Sequence, residues 1–315
     1  MEERQRSFLE ELLGTATPSG FETPGQRAWI EYVSGFADEV STDEYGNAVA
    51  VVEGGEPEVA IGGHADEIGL IVRDIAEDGY LRVSRIGGAD ATVSRGQHVV
   101  VHAADGPVRG VVGQTAIHIR DEEGEPAVGS QFVDIGATDR EAATELVDRG
   151  DPITFVQTVS ELEGDRIAAR GLDNRVGIWV AAEALRRARA TDSAATVYAV
   201  STVQEEVGGR GAAMVGFDLD PDAVVAVDVN HATDAPGTPG EHTSGVELGG
   251  GPIVSRGGTN HPRVGRAVRT VADDENIELQ LQATGGRTGT DADSFFIQRG
   301  GIPSLSVGVP NRYMH

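Results

Sequence analysis

The sequence predicts an α/β fold interrupted by a β-rich insertion, and three observations carry that expectation. Helix-periodic and strand-like segments alternate at both ends of the chain. Between about residues 71 and 164 the texture changes to short alternating strands separated by Gly turns. Polar residues of metal-ligating types recur where apolar strands end. At 315 residues the chain is long enough for one large domain carrying an insertion.

In chain order, Phe8, Leu9, Leu12 and Leu13 mark a helix over 4–13 that ends at "TPSGFETPG". Trp29, Ile30, Val33 and Phe36 mark a second over 24–36. The turn "DEYGN" introduces the strands "AVAVVEG" and "EVAIGGH". The middle stretch then reads as strands ("IVRDI", "YLRVSRI", "HVVVHA", "VRGVVG") with one short helix near 139–149. After it come a helix over 174–190, strands near 195–204 and 222–229, a helix over 261–275 and a last strand, "SLSVGV". The resulting division is 1–70 with 165–315 as one α/β domain, and 71–164 as a module inserted into it.

Composition narrows the function. There are 51 acids against 25 bases, all Arg, giving a net charge of -26 that argues against nucleic acid or an anionic membrane as partner. The acids are dispersed, as in "DPDAVVAVDV" and "RDEEGEPAVGS". With Lys absent, the pattern is similar to that of haloarchaeal proteins, whose surface repulsion is screened at high salt. No apolar run is long enough to span a membrane, and the charged start "MEERQRSFLEELLG" does not read as a signal peptide, so a cytoplasmic protein is expected. There is no Cys, so any metal must be held by His and carboxylates.

The candidates for that chemistry sit at strand ends: His64 and Asp66, Asp173, Glu205 and Glu206, Asp228, and His315. Each alone has a plainer reading: a surface His, an N-cap Asp, a turn Asp, or a solvated Glu pair. Together they are a suitable ligand set for two divalent metals. Thr290 and Asp291, in the Gly-rich "TGGRTGTDADSFF", are expected near them or at a helix N-terminus, and His231 and His261 read as structural.

"GGHADEIG", "GLDNRVG", "VQEEVGGRGA", "VDVNHATDAPG", "GTDAD" and "VPNRYMH" occur in an order and spacing that resemble the dinuclear-zinc aminopeptidases of metallopeptidase family forty-two, the tetrahedral (TET) aminopeptidases. Some of these carry the labels glutamyl aminopeptidase or endoglucanase. The resemblance runs from "TPSGFE" to the last residue. It implies a three-layer α/β metallopeptidase catalytic domain with an inserted, β-barrel-like dimerisation domain. It implies two divalent metal ions per subunit, Zn²⁺ or alternatively Co²⁺, and an aminopeptidase that hydrolyses the N-terminal bond of short peptides through a metal-bridging water. Dimers would assemble into a dodecamer.

Carried over, His64 and Asp228 bind one metal, Glu206 and His315 the other, and Asp173 bridges both. Asp66 orients the His64 imidazole, and Glu205 is the general base. Strand alternation would send Glu205 and Glu206 to opposite sides, one to the water and one to the metal. The chain departs from the family at Gly209, where a larger apolar residue is usual, which implies a looser turn. It departs again at Asn174, where an acid is common, and at His315, beyond which family members continue. Competing readings are a related deacylase or carboxypeptidase-type zinc hydrolase, a glycosidase with Glu205 as acid, and a catalytically inactive, metal-stabilised assembly protein.

Overall fold

A computed structural model describes residues 1–119, 127–156, 158–239 and 244–315; the acidic run "RDEEGEP" lies outside the described residues. The chain divides into two units, Met1–Asp66 with Gly171–Met314, and Glu67–Arg170 with His315. The first unit opens with helices α1 (Glu3–Gly14) and α2 (Thr23–Val33) and strands β1 (Glu39–Thr42), β2 (Ala48–Val52) and β3 (Gly55–His64). The second holds β4 (Gly69–Ile75), β5 (Leu81–Ile86), α3 (Ala91–Ser94), β6 (His98–Ala103), β7 (Gly106–Val112), β8 (Phe132–Asp134), α4 (Arg140–Thr144), β9 (Pro152–Phe155), β10 (Ser160–Leu162) and β11 (Arg166–Ala168). The first unit resumes with α5 (Leu172–Ala190), β12 (Ala195–Thr202), α6 (Arg210–Leu219), β13 (Ala223–His231), β14 (Ile253–Arg256), α7 (Pro262–Asp274), β15 (Gln280–Ala283), α8 (Ala292–Phe295) and β16 (Ser304–Asn311).

In the first unit, eight strands form one sheet in the order β1-β2-β12-β3-β13-β16-β14-β15. The four central strands, β12, β3, β13 and β16, run parallel, so their C-terminal ends share one edge. Both faces of the sheet are covered. Phe8, Leu12, Trp29, Ile178 and Leu185 pack with Ala48, Ala50 and Ala199 on one side. Ala212, Val215 and Phe295 pack with Ala60, Val200 and Val224 on the other. Neighbouring residues of β12, Ala199 and Val200, thus enter opposite layers, as strand alternation requires.

In the second unit β4-β5-β8-β7-β6-β9 close into a barrel. Its strands alternate buried and exposed positions, most plainly in β5 and β7. Leu70, Val72, Leu81, Val83, Val99, Val101 and Ile153 fill the inside. The helix expected over 139–149 is confined to Arg140–Thr144.

Candidate metal centre

Parallel pairing brings the strand ends to one edge, and two glycines bring α5 close to the end of β3. A Cβ on Gly63 would lie 2.7 Å from the Gly177 carbonyl carbon, so the pair of glycines lets the helix approach the strand. That approach sets Asp173, at the start of α5, beside His64, the last residue of β3. Asp173 has extended backbone angles (φ -82°, ψ 106°), and its carboxylate reaches the imidazole.

His64 is the hub, with a side chain only 2 % exposed. Its Nε2 lies 3.2 Å from Asp173 Oδ1, 3.7 Å from Asp228 Oδ1 and 3.9 Å from Glu205 Oε2. Its Nδ1 lies 3.1 Å from the Asp66 carbonyl oxygen and 3.4 Å from Asp66 Oδ1. Asp66 therefore faces one edge of the ring while the other carboxylates face the opposite edge.

Glu205 and Glu206 do not end a strand. β12 stops at Thr202, and the acids sit in the turn before α6, with Gln204 in the left-handed region at φ 57°. The alternation argument therefore does not apply. What separates the two side chains is the turn, and Asp66 holds it: Glu205 N–H donates to Asp66 Oδ1 at 2.9 Å and Glu206 N–H to Oδ2 at 3.1 Å. Ser19 Oγ donates to the same Oδ2 at 2.6 Å. Gly209, expected to loosen this turn, adopts the left-handed conformation that glycine favours. It sits at φ 62°, and a Cβ there would meet Ser294 Oγ at 2.2 Å.

The M42 glutamyl aminopeptidase profile matches residues 46–315. A lysyl aminopeptidase of Pyrococcus furiosus is 34 % identical over 98 % of this chain and 89 % of its own length. The chain belongs to the M42 glutamyl aminopeptidase family. A solved TET aminopeptidase from a marine-sediment Thaumarchaeota archaeon superimposes with a TM-score of 0.94 at 34 % identity, covering 100 % of this chain and 90 % of that one. The Pyrococcus horikoshii TET1 peptidase, which can assemble into a tetrahedron or a large octahedral shell, gives a TM-score of 0.88 at 29 % identity over 99 % and 92 % of the two chains.

The electrostatics of this M42 aminopeptidase fit a divalent cation at the centre. His64, Asp173 and Asp228 each offer a ligand atom within 4.8 Å of the others, and Asp173 and Glu206 offer oxygens equally close to one another. Burial pushes the Glu205 carboxyl up to about 9, and Asp291, Asp228 and Glu206 add repulsion that the His64 charge only partly offsets. Asp228 is pushed up by burial and by Asp173. Burial opposes charge on His64, but its bonds to Asp173, Asp228 and Asp66 outweigh that and hold it well above an ordinary imidazole. One ring among so many acids leaves the cluster short of positive charge, which is what a His-carboxylate metal site shows before its ion is counted.

Three further residues complete the description. His315 belongs by its contacts with the second unit, where its Nδ1 lies 3.2 Å from the Gly88 carbonyl oxygen. Asn174 is buried, donating to the Val227 carbonyl oxygen at 2.8 Å and accepting from Gly177 N–H at 3.0 Å. An acid there could not donate, so Asn is the structural choice. Asp291 accepts from Thr202 Oγ1 at 2.5 Å, its Oδ1 is buried without a partner among the described residues, and burial raises it to about 7. The sequence marks Asp291 by its Gly-rich setting and the motif "GTDAD"; the pairing with Thr202 carries no local signal.

Proposed function

We propose that this aminopeptidase removes N-terminal residues from short peptides with two divalent metal ions, Zn²⁺ or alternatively Co²⁺, and Glu205 as general base. The observation that carries the reading is the convergence of Asp173, Asp228 and Glu205 on His64 Nε2. His64 and Asp228 would hold one ion, Glu206 and His315 the other, with Asp173 between them. Carboxylates and an imidazole are the donor types such an ion takes, which supports the second set. Bound ions would polarise the scissile carbonyl and acidify the attacking water. Glu205 takes a proton from that water and returns it to the leaving amine. Asp66 holds the Glu205 and Glu206 amides and one edge of the His64 ring, so that base and ligand keep their relative positions.

The proposal extends to assembly: barrel-mediated dimers that build a dodecamer in the cytoplasm. The assembling P. horikoshii relative supports a homo-oligomer. The net charge of -26 supports work at high salt. Aminoacyl-p-nitroanilides should be cleaved and their N-acetylated analogues refused, at high salt more than at low. A chelator should abolish turnover, and Zn²⁺ or Co²⁺ should restore it. Cleavage of the acetylated analogues would favour the deacylase reading, and indifference to the chelator would sink the metal.

A further inference from the structure

The turn that presents Glu205 and Glu206 is held from outside. Four successive backbone amides end on side-chain oxygens: Val203 N–H on Asn47 Oδ1 at 2.9 Å, Gln204 N–H on Glu22 Oε1 at 3.2 Å, and Glu205 and Glu206 N–H on Asp66. The turn's own bonds, from the Gly208, Gly209, Arg210 and Gly211 amides, occupy the Val203, Gln204 and Glu205 carbonyls, so the amides on its other side depend on those outside oxygens.

Glu22 is the unexplained member of this set. It closes the "TPSGFE" stretch and stands at the N-cap of α2, where a carboxylate ordinarily accepts amides of its own first turn. It makes no such bond. Instead its Oε1 takes Gly20 N–H at 2.7 Å and Gln204 N–H at 3.2 Å. Glu22 is 4 % exposed and, among the described residues, no cation pairs with it. A buried carboxylate without a cation costs free energy that only its bonds offset. What it grips is Gln204, the residue in the left-handed region immediately before the base.

We propose that Glu22 is a positioning residue for Glu205: by holding the Gln204 amide it fixes the left-handed turn that points the base into the centre. This rests on the reading of Glu205 as general base.

The test compares Glu22→Gln, which keeps the reach of the side chain and an acceptor oxygen, with Glu22→Asp, which keeps the charge and loses the reach. Glu205→Gln serves as reference. Glu22→Asp should lower kcat by roughly 10–100-fold with KM and metal content near the parent's, because small misplacements of a reacting group are costly. Glu22→Gln should recover kcat to within roughly threefold of the parent, the displacement of the base being largely undone. Parental kcat in Glu22→Asp, or a larger loss in Glu22→Gln than in Glu22→Asp, overturns the proposal. Should Glu22→Asp not fold, Gln204→Gly loosens the same turn from the other side, and unaltered kcat there is equally fatal. If Glu205→Gln keeps its rate, the general-base reading fails and takes this proposal with it. If Glu205→Gln is inactive while Glu22→Asp is not, only this proposal fails.

Discussion

The two units bury different chemistry. The barrel core is Leu, Val, Ile and Ala, and the acid buried in that unit, Glu67, faces the Arg170 guanidinium at 3.0 Å. The α/β unit buries His64, Asp66, Glu22, Asp228 and Asp291 besides its apolar cores. Burial of apolar surface stabilises at about 25 cal/mol per Å², whereas buried acids that lack a cation cost stability. The barrel therefore tests how the chain stays folded, and the α/β unit tests what it does at the expense of stability.

The largest effect that can break this comparison is at Glu205. Glu205→Gln should cost about 10²–10⁴-fold in turnover, because the amide cannot accept the proton. Metal content should stay near the parent's. The same substitution should leave the metal-free protein less sensitive to pH. An acid raised in the folded state to about 9 contributes stability present below its unfolded value of about 4.5 and lost as pH rises through 9. Thermal melts of the chelated parent between pH 5 and 9 should therefore fall more steeply than those of Glu205→Gln. Parallel curves would mean that Glu205 is not held up by its neighbours.

Next in size is the barrel. Leu81 is fully buried in its core. Leu81→Ala should cost about 2–5 kcal/mol of stability through lost burial and a residual cavity. Turnover per folded, metal-loaded chain should stay within about twofold if the two effects are independent. Calorimetry with active-site titration separates the two. A large fall in kcat at full metal content would show that the barrel core acts on the centre, and the contrast between the units would fail.

The sequence shows the ligands more clearly than it shows what holds them. His64, Asp173 and Asp228 are legible because each is a polar residue at the edge of an apolar run, where parallel sheets gather ligands. Helices α1, α5 and α7 are legible because their apolar spacing persists over several turns. α6 escapes notice because Gly209, Gly211 and Gly216 obscure its period. β14 and β15 escape because four residues hold too little alternation to read. Glu205 and Glu206 read as a strand end because "AATVYAVST" leads straight into them, and nothing in a Gln announces φ 57° at position 204. The bonds from Glu22, Asn47 and Asp66 join segments far apart in the chain, so no local pattern encodes them.

The smallest effect concerns a buried acid in the α/β unit that has a cation. Glu183 on α5 accepts from Gln5 at 2.6 Å, Tyr32 at 2.5 Å and Arg186 at 2.9 Å. Burial alone would raise its carboxyl, but the Arg186, Tyr32 and Gln5 bonds outweigh burial and hold it below the usual range. Its shift is thus opposite in sign to those of Glu205 and Asp228, the acids that face the His64 Nε2 edge. An acid lowered in the folded state contributes stability present above its unfolded value of about 4.3 and lost as pH falls through the folded value. Glu183→Gln keeps an acceptor and loses the charge, so it should cost about 1 kcal/mol near pH 7, or about 2–4 °C in Tm. The difference from the parent should shrink towards zero as pH falls below about 4. A melting difference that persists unchanged at acid pH would show that Glu183 acts by shape alone and not through its charge.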